Sequence, residues 1–553
     1  MSRKRSKQKA RVPTIPINKP AISPVGAQIL RKFINTGYSE SGASYKKGSM
    51  AAWRPIRSSP QSDIDVNLNT LRARSADAVT SIPIASSAIN TSRTNVIGAG
   101  LKLSPKPKYK ILGITSEAAE EWGRTTKEEF DLWANSKSSD ILRKNNWYDQ
   151  QDIVYQCYMI DGDSFAIFKY RPPTPDMPYS LRIQGLEASR VCNPGVQSLL
   201  GAISPWSVTI KNPKNGNRII NGVEVNVDGA VTAYWVCNKY PYDPTNTTQI
   251  PEWERVEAFG ALTGQPNILQ ISHDERHEQY RGIPYLAPVL EVMKQVGRYT
   301  EAELTAAIIK SFFSLFFEEN NASSNQFPIQ QALNPQDRAS LDPNDFELGS
   351  GTLNVLPPGY KVTTVDASRS LSTYEAFTKQ LITQIGATLE QPYEVLLKAF
   401  NSSYSASRAA LLQAWAAYKI RRTWFSRDFC QPSYEAWLTE AIAIGRIKAP
   451  GFHDDPLKRK AWCNAEWYGP VMGVLDPMKE IQASTLRVQA GVSTREKEAA
   501  EMTGTSWDEN VERLSIEQKR MQELGIPIEL SVDTRDPGLL EEELQTEEKG
   551  VKK

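Results

Sequence analysis

The chain is poor in the residues that build catalytic and metal centres. Its 553 residues hold three histidines and five cysteines. The cysteines (Cys157, Cys192, Cys237, Cys430 and Cys463) are odd in number, far apart and never in a CxxC pair, so neither a disulfide framework nor a zinc site is indicated. A reducing compartment is the simplest setting. His273 and His277 have i,i+4 spacing but do not form HExxH, and a solvated polar loop before Gly282 is expected rather than zinc. No GxSxG elbow, GxGxxG fingerprint or GxxxxGK[ST] loop occurs, so any motor work must be supplied by another protein. No apolar run reaches the ~20 residues of a membrane span. The nearest, Ala306 to Phe317, is shorter and interrupted by Lys310. The N-terminal MSRKRSKQKAR has charge without a following apolar region, which argues for a basic arm rather than a secretory signal. Net charge is only +2, so contact with a polyanion requires a local patch or many copies acting together.

What is present is a folded, multidomain chain. Hydrophobic residues make up 40% and charged residues 23%, as in globular proteins. Residues 1–65 are rich in Pro, Ser, Lys and Arg and lack periodicity. Helical patterns then follow near Leu71–Ile82, Ile84–Ile97, Thr115–Ala134 and Trp147–Met159, with a strand start at Leu101–Ser104. The period changes at Asp163–Tyr170, and short strand patterns recur at Ser180–Gln184, Val223–Val227, Val231–Val236 and Asn267–Ile271. Asp228-Gly229 marks a tight hairpin between two of them. Helices first and an antiparallel sheet second make an α+β order. A long helix is expected over Ala287–Phe317, about 45 Å at 1.5 Å per residue. A Pro-rich insertion ends in a hairpin-like pair, Thr352–Leu356 and Lys361–Val365. A second helix carries Leu371, Tyr374, Phe377, Leu381, Ile385 and Leu389 on one stripe. After a polar loop, helix resumes from Tyr404 to Ile444 with a break near Pro432. Ser493–Glu496 reads as a capping box and Trp507–Leu524 as helix.

Two constellations invite a chemical reading. Asp161-Gly162-Asp163 pairs two carboxylates that suit a hard cation, but no third ligand is tied to them, and Asp and Gly are usual in a turn entering a strand. Trp415, Tyr418, Trp424 and Phe425 interleave with Arg421, Arg422 and Arg427, a pattern able to stack bases but more often core packing beside a basic face.

The chain resembles the lambda-type portal proteins of tailed bacteriophages over about residues 65–530. The residues that carry this are Leu71–Asp77, Asn95–Leu101, Asp161–Asp163, Arg281–Leu290, Tyr404–Leu412, Asp476–Glu480, Ala490–Ser493 and Gly504–Glu509. Each is weak alone; their order and spacing together are specific. The resemblance implies a non-enzymatic, multidomain α+β fold without cofactors, in which twelve copies close a ring at one capsid vertex. Double-stranded DNA passes through the ring during packaging and ejection. Implied partners are the major capsid protein, the terminase large subunit and a head-tail adaptor, with no membrane. The implied location is the virion, with assembly in the host cytoplasm. The expected parts are an N-terminal arm (1–65), a wing (66–280), a stem helix (281–318), a clip (319–368), a second stem helix (369–392), a channel loop (393–407), a supporting helix (408–445), a crown (446–530) and a tail (531–553).

A channel must let DNA slide, so its contacts should be numerous, weak and blind to sequence. Lys398, Asn401, Ser402, Ser403 and Tyr404 are the candidates for facing DNA, by polarity and loop position, while Ser405 and Arg408 are expected to anchor the helix that follows. Lys294, Arg298 and Lys310 on the first stem helix are candidate channel lining. Two other classes compete: a metal-dependent nucleic-acid enzyme using Asp161 and Asp163, and a monomeric nucleic-acid-binding protein using the basic arm and the aromatic helix.

Overall fold

The computed structural model describes residues 44, 47–195, 208–241, 243, 245, 250–311, 315–319, 360–364, 371–400, 403–473 and 477–525. The chain forms two units, Met1–Ser59 and Pro60–Lys553. In the first, the described residues make one helical turn, Gly48–Ala51.

The second unit begins with helices α1 (Leu68–Ser81) and α2 (Pro83–Val96). Ile82 between them is extended, as a residue before proline prefers to be. Strand β1 (Lys102–Pro105) and helix α3 (Ser116–Ala134) follow, the latter capped by Thr115, whose hydroxyl accepts from the Ala118 N–H. Helix α4 (Trp147–Asp161) starts on an Asn146/Asp149 capping box and ends at Gly162, in the left-handed conformation. Strands β2 (Asp163–Tyr170) and β3 (Leu181–Glu187) come next, then the short strands β4 (Thr209–Lys211), β5 (Arg218–Ile220), β6 (Val223–Val225), β7 (Val231–Cys237) and β8 (Trp253–Glu257), and β9 (Ile268–Ser272). They make two antiparallel sheets, ordered β3-β2-β9 and β4-β5-β6-β7-β8. The Asp228-Gly229 turn does join β6 to β7, and the Asn226 carboxamide oxygen accepts from the N–H groups of Asp228 and Ala230 inside it.

Strand β2 explains how the layers share one chain. Its alternation sorts Ala166 and Phe168 into the main helical core and Phe165 and Ile167 into a second core under the five-stranded sheet. Both faces are buried. The main core is aromatic: Phe130 meets Trp147 at 5.1 Å and Trp437 at 5.1 Å between ring centroids, both edge to face.

The expected helix from 287 to 317 is shorter. A 3-10 turn (Ala287–Val289) leads into α5 (Leu290–Ser311), about 33 Å long at 1.5 Å per residue. Leu315–Glu319 is a strand, β10, paired antiparallel with β11 (Tyr360–Thr364). The aromatic run Leu315-Phe-Phe317 prefers the pleated surface that β11 offers. The expected hairpin partner of β11, Thr352–Leu356, lies outside the described residues. Helices α6 (Leu371–Thr388), α7 (Tyr393–Leu397) and α8 (Tyr404–Phe425) follow. No break occurs at Pro432. A π-turn at Ser426–Cys430 passes α8 into α9 (Gln431–Ala443) with proline in its first turn, where a missing N–H leaves no bond unmade. Helix α10 (Pro456–Trp462) and β12 (Ala465–Tyr468) return to the start of the unit, where β12 pairs with β1. Residues 446–468, expected with the crown, are thereby built into the α+β body, and Ile447, Phe452 and Trp462 belong to its core. The last helices are α11 (Pro477–Gln489), α12 (Arg495–Met502) and α13 (Trp507–Glu523). The cap of α12 is Thr494, whose hydroxyl accepts from the Lys497 N–H, one residue later than the Ser493 box predicted.

Asp161-Gly162-Asp163 is the expected turn into a strand, Gly162 passing α4 directly into β2, but it is a buried turn. The Asp163 side chain is fully buried, with its carboxylate between two arginines: Arg72 Nη2 donates at 2.7 Å and Arg281 Nε at 2.6 Å. Arg281 Nη2 and the Gly282 N–H donate as well. Burial alone would raise the Asp163 carboxyl, yet the two guanidinium groups hold it below the ordinary range. The remaining donors of Arg281 go to the carbonyls of Val191, Asn221 and Ala188. Gly162 and Gly282 lie so close that a methyl on Gly282 would collide with the Gly162 carbonyl. Asp161, less well paired, is pushed up to about 7 by burial.

This cluster can be tested at both of its acids. Asp163→Ala strands two buried cations and should cost about 3–5 kcal/mol, read by chemical denaturation. Asp161 has the opposite sign. Its folded-state pKa lies above the ordinary 3.8, so its contribution is full below about pH 4 and is lost as pH rises through about 7. Asp161→Asn should flatten the decline in stability between those values and leave the variant more stable than the parent at pH 8; a steeper decline would refute this.

Candidate functional site

Helices α5 and α6 form an antiparallel pair. Tyr299 stacks on Tyr374 at 5.5 Å, and the Tyr374 hydroxyl donates to Thr300 Oγ1 at 3.1 Å. Near the other end the Tyr285 hydroxyl donates to the Leu389 carbonyl. The expected apolar stripe of α6 divides along its length. Ile385 and Leu389 are buried in the body, while Phe377, farther out, is 48% exposed. On α5, Leu304 and Ile308 are 62% and 50% exposed. Among the described residues the pair therefore reaches out from the body with Leu304 and Phe377 largely exposed.

The base of the segment after α6 is firmly held. Gln391 is buried and donates to the Ala88 carbonyl at 3.1 Å and the Tyr285 hydroxyl at 3.3 Å. Glu390 pairs with Arg421 at 2.9 Å, and Arg421 lies over the Tyr285 ring at 4.4 Å. Helix α7 lies against α2, where Ser87 Oγ donates to the Leu396 carbonyl at 2.6 Å, and Val395 and Leu396 are buried. The stretch expected as one loop, 393–407, is thus largely helical. Among its described residues, 398–400 and 403 are not helical. The missed signal was the YEVLL run with Pro392 before it, which is short but apolar on the side that meets α2.

Lys398 ends α7 in the left-handed conformation, φ 54, and is exposed. Asn401 and Ser402 lie outside the described residues. Ser403 caps α8, its hydroxyl accepting from the Ala406 N–H at 3.4 Å. Tyr404 is the first residue of α8. Ser403, not Ser405 or Arg408, therefore begins this helix; Arg408 reaches Glu480 on α11 at 3.0 Å instead. Lys294 and Arg298 are exposed at i,i+4 spacing on α5, beside the inward face of Met293, Val296 and Tyr299. Lys310 is near the end of the same helix.

The aromatic helix does not present bases with a stacking surface. Trp415, Tyr418 and Phe425 are buried, and Trp424 stacks at 3.7 Å on the half-buried His273, which opens the expected loop after β9, where His277 is exposed. Arg422 donates to the carbonyls of Asn95, Val96 and Pro470, and Arg427 pairs with Asp428. Both Asp163 oxygens are taken by arginine, which overturns the metal-enzyme alternative at Asp161 and Asp163.

Residues 46–422 match the family model described as phage portal protein, lambda family. The chain is 24% identical over 509 residues to portal protein B of Escherichia phage lambda, covering 89% of this chain and 90% of that one. It is 25% identical over 499 residues to the portal protein of Escherichia phage N15, covering 87% and 89%. Among solved structures, a chain from the neck of a native GTA particle covers 78% of this chain and 92% of its own, at 12% identity and a TM-score of 0.40. A chain from the virion of a native gene transfer agent covers 82% of this chain and 95% of its own, at 11% identity and a TM-score of 0.39.

The geometry at Lys398 is testable without any ligand. A non-glycine residue at φ 54 carries about 1 kcal/mol of backbone cost, so Lys398→Gly should leave stability equal or raised by up to that amount, and Lys398→Val should lower it. Denaturation midpoints of the two variants check this.

Proposed function

The chain belongs to the lambda family of phage portal proteins, and from that premise we propose that it closes into a ring of twelve copies through which double-stranded DNA enters and leaves the capsid. It is a structural protein of the virion, not an enzyme. In this reading α5 and α6 are the stem, the β10/β11 pair opens the clip, and the segment from Lys398 to Ser403 is the channel loop. The terminase large subunit, the head-tail adaptor and the major capsid protein dock on the ring, which assembles in the host cytoplasm.

The family match over residues 46–422 carries the proposal. Two features of the chain support it physically. Among the described residues the α5–α6 pair leaves Leu304 and Phe377 largely exposed, which a neighbouring copy would bury. Lys398 stands exposed on a base pinned to α2 and α8, so each copy would present one cation at a fixed place. With a net charge near zero, the ring multiplies that weak contact without holding DNA fast. Lys294 and Arg298 would continue the lining along the stem.

Purified protein should appear in negative stain as rings with a central hole, and its solution mass should be a large multiple of 61.8 kDa. A monomer would favour the competing nucleic-acid-binding reading. Substituting Lys398 and Asn401 together should change packaged DNA length or packaging yield; normal rings with unchanged packaging would remove the loop from the proposal.

A further inference from the structure

The helices α11–α13 meet the body with little apolar burial. No side chain from Pro477 to Glu523 belongs to the described hydrophobic cores, and within this segment Ala500 is the one buried apolar residue among those described. Four ion pairs among the described residues run from it to the body: Lys106–Glu496 at 2.5 Å, Lys127–Glu509, Arg408–Glu480 at 3.0 Å and Lys419–Glu501 at 3.5 Å. In all four the base is on the body and the acid is on the helical segment. The segment meanwhile holds its own shape, through the Thr494 cap and the Arg487–Glu498 pair inside it.

The groove between segment and body carries mostly bases on the body side. This groove, of about 720 Å³, takes Lys102, Lys106, Lys108, Arg124 and Lys127 from β1, the following loop and α3. The body adds the acids Glu120 and Asp131, and the segment adds Glu496, Asp508 and Glu509. A second groove, of about 590 Å³, lies on the α8 side of the segment around Lys419 and Glu501. The segment therefore rests on the body between two clefts, held by carboxylates that occupy cationic sites.

We propose that α11–α13 form an ionic latch that duplex DNA displaces, uncovering a phosphate-binding face on β1, its following loop and α3. Partly exposed ion pairs contribute about 0–1 kcal/mol each and weaken with salt, so a contact of four is strong enough to close the segment and weak enough to yield. A carboxylate and a phosphate oxygen compete for the same lysines. A duplex offers one charge per ~1.7 Å of axis, a far denser array than four glutamates, and gains by releasing its counterions. The site is separate from Lys398 and stands whether or not the channel-loop reading does.

The test uses the full chain with Lys398 intact and a duplex of about 40 base pairs at about 50 mM NaCl. Hydrogen–deuterium exchange in α12 and α13 should quicken about tenfold on adding DNA, while α9 in the core stays protected. Unchanged or slower exchange would overturn the latch. Glu496→Gln with Glu509→Gln should bind the duplex about tenfold more tightly and steepen the log–log salt slope by about one per lysine freed. Wild-type affinity and slope would count against the idea. The exchange pair Lys127→Glu with Glu509→Lys keeps the segment closed but removes a base from the face. It should bind DNA more weakly than the parent, and equal binding would exclude the face as the site.

Discussion

Asp163 between Arg72 and Arg281 is the contact on which the rest of the unit depends. It joins three places distant in sequence: α1, the start of β2, and the turn that leads into α5. A buried carboxylate is unfavourable unless its lone pairs are met, and here two guanidinium groups and the Gly282 N–H meet them. Arg281 directs its other donors to the carbonyls of Val191 and Asn221, beside the five-stranded sheet. The close approach of Gly162 and Gly282 leaves no room for sliding. The point where α5 leaves the body is thereby set to within a side chain's width. The helix pair that carries Lys294 and Arg298, and that returns the chain towards Lys398, inherits that placement.

This recasts the family-like motifs. Leu71–Asp77, Asp161–Asp163 and Arg281–Leu290 looked like three separate signatures, with the middle one open to a metal reading. They are three sides of one ion cluster, and their job is to set an angle between parts of the fold. Spacing could not reveal this. The arginines lie 91 and 118 residues from Asp163, and only the fold brings them within bonding distance. The same holds for β12 against β1, which draws residues 446–468 into the body although their local pattern reads as a new segment.

What was legible in the chain was local. The 3.6-residue stripes of α1–α4 and α6 and the Asp228-Gly229 hairpin follow from side-chain period and turn chemistry, and both were found where expected. What was not legible depended on partners. Leu315-Phe-Phe317 continues a helical stripe until β11 offers it a pleated surface. Pro432 suggests a break until a π-turn absorbs it. Tyr393–Leu397 is too short to signal a helix alone, and is stabilised by burying Val395 and Leu396 against α2. Within the candidate site, pattern alone could not say which way Lys294 and Arg298 face. They flank the inward side of α5 at Met293, Val296 and Tyr299 rather than define a separate surface.

The two positive-φ residues around α7 have a common structural reason. Glu390 and Lys398 both adopt positive φ, at 56 and 54. At Glu390 the backbone closes the end of α6, the Gln391 N–H donating to the Gly386 carbonyl at 2.9 Å, and its carboxylate pairs with Arg421, which lies over Tyr285. Lys398 has the same backbone cost, yet among the described residues its ammonium has no partner, and it stands on the pinned end of α7 facing solvent. The helix end itself explains the conformation: the N–H groups of Lys398 and Ala399 both donate to the Glu394 carbonyl, as in a left-handed C-cap. The two turns thus share one backbone cause, and what distinguishes them is the side chain, paired with Arg421 at Glu390 and exposed on the pinned end of α7 at Lys398.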